Sequence, residues 1–314
     1  MTLKNAFASD DFKNNDGPFH GRLTLESATQ LSLRPYNGKH VGVSGQLVEI
    51  PWLADQTIVG FTVDTSATLI SSDGLNTGLT PSASTVYYVY VSNGFAKYAP
   101  KQLRLSSSSR STNKFGVNYL GTSENATNWR YVGMVKTIDA GGGVPNFVDS
   151  ETQRFVINWN NPRPLKMFTC PGYVDQVAPV SYAETTSANW KEIHGGVGSR
   201  LSFLSHGQDV VKYYAKAYLD FPDEANDYAS IGVGHDDIVT VEVLADPPYN
   251  TDLNKVIGGD IQLHHSYVPA EGDRQLLFLI TPTATASINV SATGSRMGAT
   301  ASPAYSYLEA WVMG

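Results

Sequence analysis

Residues Leu79–Ser109 read LTPSASTVYYVYVSNGFAKYAPKQLRLSSSS, and residues Gly116–Thr137 read GVNYLGTSENATNWRYVGMVKT. In the first stretch Val86, Tyr88 and Tyr90 alternate with Tyr87, Val89 and Val91. Period-two alternation is the geometry of a strand, in which successive side chains point to opposite faces. Both faces of this strand are apolar, so it is expected to lie between two layers or at a subunit interface. Leu103 and Leu105 open a following strand that ends in a serine run. Tyr131–Val135 reads as another, and the Gly133 inside it predicts a bulge or a close backbone approach. Neither stretch holds a metal cage, a phosphate loop or a nucleophile motif.

The same grammar extends in both directions. Leu23–Leu25, Leu31–Leu33 and Val41–Val43 are short strands, with Tyr36–Asn37–Gly38 expected to close a tight hairpin. Gly141–Gly142–Gly143 reads as a flexible hairpin tip, since no Lys-Ser/Thr follows it to make a phosphate cradle. Strands are expected in the second half at Arg200–Leu204, Val210–Phe221, Ile238–Leu244, Asp260–Val268, Gln275–Thr281, Ile288–Ala292 and Tyr305–Val312. Helical patterning is confined to Leu3–Phe12 and a turn near Asp223–Asn226. Repeated short strands imply an all-β fold of antiparallel β-sandwich domains, the C-terminal one jelly-roll-like. WNNPRP, at Trp159–Pro164, places two prolines after a strand over Arg154–Trp159 and marks a boundary. The expected organisation is an N-terminal docking arm over 1–20, a β-domain over 21–165 and a jelly-roll-like sandwich over 166–314. The last strand, ending in Trp311 and Val312, is expected in the middle of a sheet, because a frayed tail could not carry a tryptophan.

Composition narrows the chemistry. The chain has 314 residues, of which only 16% are charged, with a net charge of -7. Such a chain has no field to attract nucleic acid or an anionic membrane. No window approaches the length of a membrane span, and MTLKNAFASDDFKNNDG lacks a signal-peptide core, so synthesis in a cytoplasm is expected. Cys170 is the lone cysteine, which rules out an internal disulfide and reads as a small buried hydrophobe. His264 and His265 fall on opposite faces of a strand and cannot share an ion. His235–Asp236–Asp237 lies in GVGHDDI, a turn composition, and reads as a solvated turn. No G-x-S-x-G occurs. Asp220, Asp223, Glu224, Asp227, Asp236, Asp237 and Asp246 supply carboxylates, but their spacing follows the loops between strands. No catalytic residue, metal or cofactor is expected.

Aromatic residues are the remaining signal. Most of the tryptophans and the 17 tyrosines belong to cores or interfaces in a β-scaffold. Trp129, in SENATNWRY, and Trp190, in TSANWKE, have the most polar surroundings. With Asn128 and Asn189 beside them, they are the candidate glycan contacts, a ring to stack on a sugar and an amide to meet its hydroxyls.

Several segments resemble a module of tailed-phage fibre, spike and head-surface proteins. The residues that carry the likeness are PYNG at Pro35–Gly38, VYYVYV at Val86–Val91, LRLS at Leu103–Ser106 and YVGMVKT at Tyr131–Thr137. SETQRFVINWNNPRPLKMFTCPGY, Ser150–Tyr173, is similar to the continuation of such proteins. The second half resembles trimeric jelly-roll or tumour-necrosis-factor-like heads only in general terms, and it resembles the head spikes of phage-like gene transfer particles as much as it does tail fibres. The resemblance implies a homotrimer on the surface of a virion, bound to capsid or other virion proteins and released by lysis. The chain lacks a shaft repeat, collagen triplets or heptads, which suits a head spike or capsid decoration better than a long fibre. Host-surface polysaccharide is an implied contact. A tail-tip receptor-binding protein is the alternative, and a glycan-degrading enzyme on the same scaffold is the second alternative.

Overall fold

The computed structural model describes residues 18–51, 60–94, 102–112, 118–121, 126–169, 183–185, 191–192, 200–220, 229–235, 238–245, 259–282, 288–291 and 307–314. They form antiparallel strands and one short 3-10 turn, Ala126–Asn128, with no α-helix among the described residues. The fold is all-β. Leu3–Phe12, Asp223–Asn226 and Cys170 lie outside the described residues. The chain divides into two compact units, the first comprising 1–149, 154–163 and Gly314, the second 150–153 and 164–313.

The first unit is built on the strand Trp129–Asp139, which pairs with Val86–Ser92 on one side and Val156–Asn158 on the other. Leu103–Ser106 extends the sheet beyond Val86–Ser92. A three-stranded sheet of Gly21–Ser27, Gln30–Pro35 and Phe61–Asp64 supplies the opposing layer. Leu23, Leu31, Leu33 and Val63 meet Tyr87, Val89, Val91, Leu105, Val132 and Val135 in one buried core. Gly133 shows why that residue is needed. The register shifts between Tyr131 and Gly133, and a Cβ at Gly133 would lie 2.0 Å from the Ile157 carbonyl oxygen. Bulge and close approach occur together at this position.

Turn chemistry followed different rules at the two ends of this unit. Gly141, Gly142 and Gly143 all have positive φ (120°, 67° and 82°) and turn Trp129–Asp139 into Pro145–Phe147. Asp139 Oδ1 accepts hydrogen bonds from the amides of Gly141 and Gly143 at 2.8 and 3.0 Å, closing the tip. The expected hairpin at Tyr36–Gly38 is not formed. Gln30–Pro35 pairs with Gly21–Ser27 and Phe61–Asp64, while His40–Val43 pairs with Gln46–Glu49. Gly38 instead gives His20 room, since a Cβ there would lie 2.3 Å from the His20 ring. The hairpin of this region turns at Ser44–Gly45, with φ of 49° and 74°, the pair of positive values a two-residue turn requires.

WNNPRP does more than separate the units. Asn158 is buried, and its side-chain Oδ1 accepts from the Leu23 amide at 2.6 Å while its Nδ2 donates to the Leu23 carbonyl at 3.1 Å. A side-chain amide thus replaces a neighbouring strand for one residue. Asn161 Nδ2 donates in the same way to the Gly21 carbonyl, at 2.8 Å.

The second unit is a two-sheet sandwich. One sheet runs Arg200–His206, Glu271–Pro282, Ala229–His235, Ile238–Ala245. The other contains Pro164–Thr169, Tyr307–Met313 and Val211–Asp220 in that order, with Gly259–Tyr267 also paired to Val211–Asp220. Tyr307–Met313 therefore lies between two others. The pairings nest. Pro164–Thr169 meets Tyr307–Met313, Arg200–His206 meets Glu271–Pro282, Val211–Asp220 meets Gly259–Tyr267, and Ala229–His235 meets Ile238–Ala245. This is one long hairpin with its tip near His235 and Ile238, rolled so that successive pairs fall alternately in the two sheets. The stretch GVGHDDI, expected to be a turn, contributes Gly232 to His235 to a strand, and Asp236 and Asp237 lie outside the described residues. Met167, Leu201, Phe203, Val211, Tyr213, Ala215, Leu263, Leu276, Leu308, Ala310 and Val312 fill the space between the sheets.

Candidate functional site

Strand alternation sorts each residue of the second unit's sheet to the core or to the outside. On Val211–Asp220, Val211, Tyr213 and Ala215 face the core at 2% exposure or less, so Lys212, Tyr214 and Lys216 face outward. On Tyr307–Met313, Leu308, Ala310 and Val312 face in, so Tyr307, Glu309 and Trp311 face out. Met167 is buried between Lys166 and Phe168, which point the other way. His264 is exposed and its neighbour Leu263 is buried.

The registers place these outer residues in two rows across the strands. Lys166, Trp311, Lys212 and Ser266 form one row, and Phe168, Glu309, Tyr214 and His264 the next. Tyr307 lies opposite Lys216 in the row that follows. The rings touch in sequence. Phe168 and Tyr307 have centroids 5.7 Å apart, Tyr307 and Tyr214 5.4 Å, and Tyr214 and His264 4.3 Å, all tilted. Such tilted contacts are the favoured geometry of aromatic pairs. Lys166 forms an ion pair with Glu309 and lies 5.8 Å from the ring centroids of both Phe168 and Trp311. Trp311 is 38% exposed, a large fraction for the largest side chain of the sheet. A shallow open depression of about 970 Å³ runs over Lys212, Tyr214, His264, Ser266, Tyr307, Glu309 and Trp311.

This face can stack flat apolar rings, donate hydrogen bonds from lysine and imidazole, and accept them at Glu309. Among the described residues no group of three or more His, Cys, Asp or Glu is placed to hold a metal ion. His264 and His265 sit on opposite faces, opposite Tyr214 and Tyr213 respectively.

The residues singled out from the sequence are elsewhere. Trp129 has 0% exposure, at the start of the central strand of the first unit, where its backbone pairs with Ser92. Its ring has no surface to offer a sugar, which corrects its reading as a stacking platform. The polar loop before it misled, because the strand begins at Trp129 itself. Asn128 ends the 3-10 turn, and its Oδ1 accepts from Asn93 Nδ2 at 3.0 Å, so its amide is engaged within the unit. Trp190 and Asn189 lie outside the described residues. The signal that marks Trp311 was present in YLEAWVM. Glu309 shares its parity, and a glutamate on one parity of a strand marks the face turned to water. Lys212 and Lys216 mark Tyr214 in the same way.

No known protein family matches the chain, and no curated protein sequence matches it. Among solved structures, dimeric latent PorU from Porphyromonas gingivalis is 9% identical, with a TM-score of 0.30, over 79% of this chain and 21% of PorU. The chain thus spans about a fifth of that protein. A structure of infectious bursal disease virus, Gx strain, is 10% identical, with a TM-score of 0.28, over 93% of this chain and 72% of that one. At these scores neither likeness bears on activity.

Proposed function

We propose that this chain is a structural protein of a tailed-phage virion surface. In this reading it is a homotrimeric head spike or capsid decoration without enzymatic activity, and the outer face of its second unit is a contact surface. One observation carries the reading. The sheet face turned away from the core, which a solvated sandwich fills with polar residues, carries Phe168, Tyr214, Tyr307 and Trp311. The nested strand pairing supports it further, since a long hairpin rolled into two sheets is the winding of a jelly roll. Low charge and the resemblance of VYYVYV, LRLS and YVGMVKT to phage fibre and spike modules point the same way.

Gold-antibody labelling of intact particles from the source lysate tests it. Label over the head is the expected result. Label confined to the tail tip makes the protein a receptor-binding tip, the second reading, which the aromatic face favours equally. Unlabelled particles overturn both. Light scattering on the purified chain checks the oligomer, with a mass of three chains expected.

A further inference from the structure

Among the described side chains of the aromatic face, lysines outnumber carboxylates. The chain has a net charge of -7, yet the described side chains of this face set Lys166, Lys212 and Lys216 against Glu309. Glu309 is engaged by Lys166, and Lys212 stands exposed directly across from Trp311. Tyr214 is the diagonal neighbour of Trp311 on the same face, within reach of it across the strands. Rings and cations placed side by side suit a ligand that offers flat apolar faces and negative charge together. A sugar acid does so, because its C–H face stacks on an aromatic ring while its carboxylate meets an ammonium. A nucleic acid carries a far denser charge and would meet the repulsion of the acidic chain as a whole. A second copy of the chain would bring net negative charge but no described surface of stacked, carboxylate-bearing rings.

We infer that the outer face formed by Trp311, Tyr214, Tyr307 and Lys212 binds a carboxylate-bearing polysaccharide. Hexose rings lie on Trp311 and Tyr214, the carboxylate pairs with Lys212, and His264 and Glu309 meet hydroxyls. The inference rests on the reading of this face as a contact surface, while the virion enters only as the place from which the protein meets its glycan.

The test is titration calorimetry of the full chain with an oligogalacturonate hexamer, with cellohexaose as the neutral control. The acidic hexamer is expected to bind at least about tenfold more tightly, and more weakly as salt is added. Trp311→Ala and Lys212→Gln are each expected to weaken it about tenfold. Lys212 is exposed, so its variant keeps the test open even if Trp311→Ala folds poorly. Absence of binding, equal binding of cellohexaose, or unchanged affinity in both variants overturns the inference. So does a Trp311→Ala protein that changes its oligomeric mass by light scattering, which makes the face an interface between copies. Binding without particle labelling upholds the inference and removes the virion reading. Labelling without binding does the reverse.

Discussion

The strands Val86–Ser92 and Val211–Asp220 carry the same kind of sequence, tyrosines and valines in alternation, and meet different fates. In the first, Tyr87 and Tyr90 are buried on opposite faces, at 2% and 0% exposure, and Tyr131 beside them is at 1%. The second face of that sheet is closed by Trp159, whose ring lies 5.9 Å from Tyr131, and by Arg110, stacked 4.4 Å over Trp159. In the second strand Tyr213 is buried at 2%, while Tyr214 lies half-buried on the outward face, diagonal to the exposed Trp311. Apolar residues on both sides of a strand therefore do not by themselves fix burial. What covers the second face decides whether its rings hold the unit together or meet a partner.

The comparison breaks most sharply at Gly133. Gly133→Ala forces a Cβ against a backbone carbonyl that cannot move aside, and is expected to cost about 4 kcal/mol or more. Denaturant unfolding checks it, and a cost below about 1 kcal/mol would mean the bulge is relaxed elsewhere. Next come the paired tyrosines. Tyr213→Ala empties a core position and should cost about 3–5 kcal/mol, whereas Tyr214→Ala, one residue on, should cost about 1 kcal/mol or less. Equal costs would show that the outer face is structural.

Asn158→Ala leaves the buried Leu23 amide and carbonyl without their partner and should cost about 2 kcal/mol. The smallest effect concerns Glu26. Burial pushes its carboxyl up, but hydrogen bonds from Ser32, Thr24 and Arg34 and the charge of Arg34 outweigh that and hold it below its ordinary 4.5. A carboxyl lowered in the folded state stabilises above its unfolded value, and that contribution is lost as pH falls from about 4.5 through the lowered value. Glu26→Gln should therefore flatten the acid limb of a stability profile and leave its salt dependence reduced.

Periodicity and turn chemistry made much of this legible. Alternation gave the strands from Leu23 to Val43 and most of those beyond Arg200, and Gly133 announced its bulge because nothing but glycine fits there. Ala229–His235 was hidden because its glycines and terminal histidine imitate a turn, and strand propensity depends on the neighbours a residue meets. Pro164–Thr169 was hidden behind Pro162, which precedes the strand, and Pro164, which opens it at a position that tolerates proline. The Tyr36–Gly38 signal failed since glycine there answers to His20, a residue distant in sequence. Local polarity misplaced Trp129, because a polar loop says nothing of the strand that follows it. Parity against Glu309 would have found Trp311.

Hydroxyl-radical footprinting of the full chain, read by mass spectrometry with and without the oligogalacturonate hexamer, measures the open face directly. Trp311 and Tyr214 should oxidise readily and Trp129 and Tyr131 slowly, with the hexamer protecting Trp311 and leaving Trp129 unchanged. A Trp311 as protected as Trp129 in the free protein would mean that the face is closed, and that the second unit has no exposed aromatic surface to present.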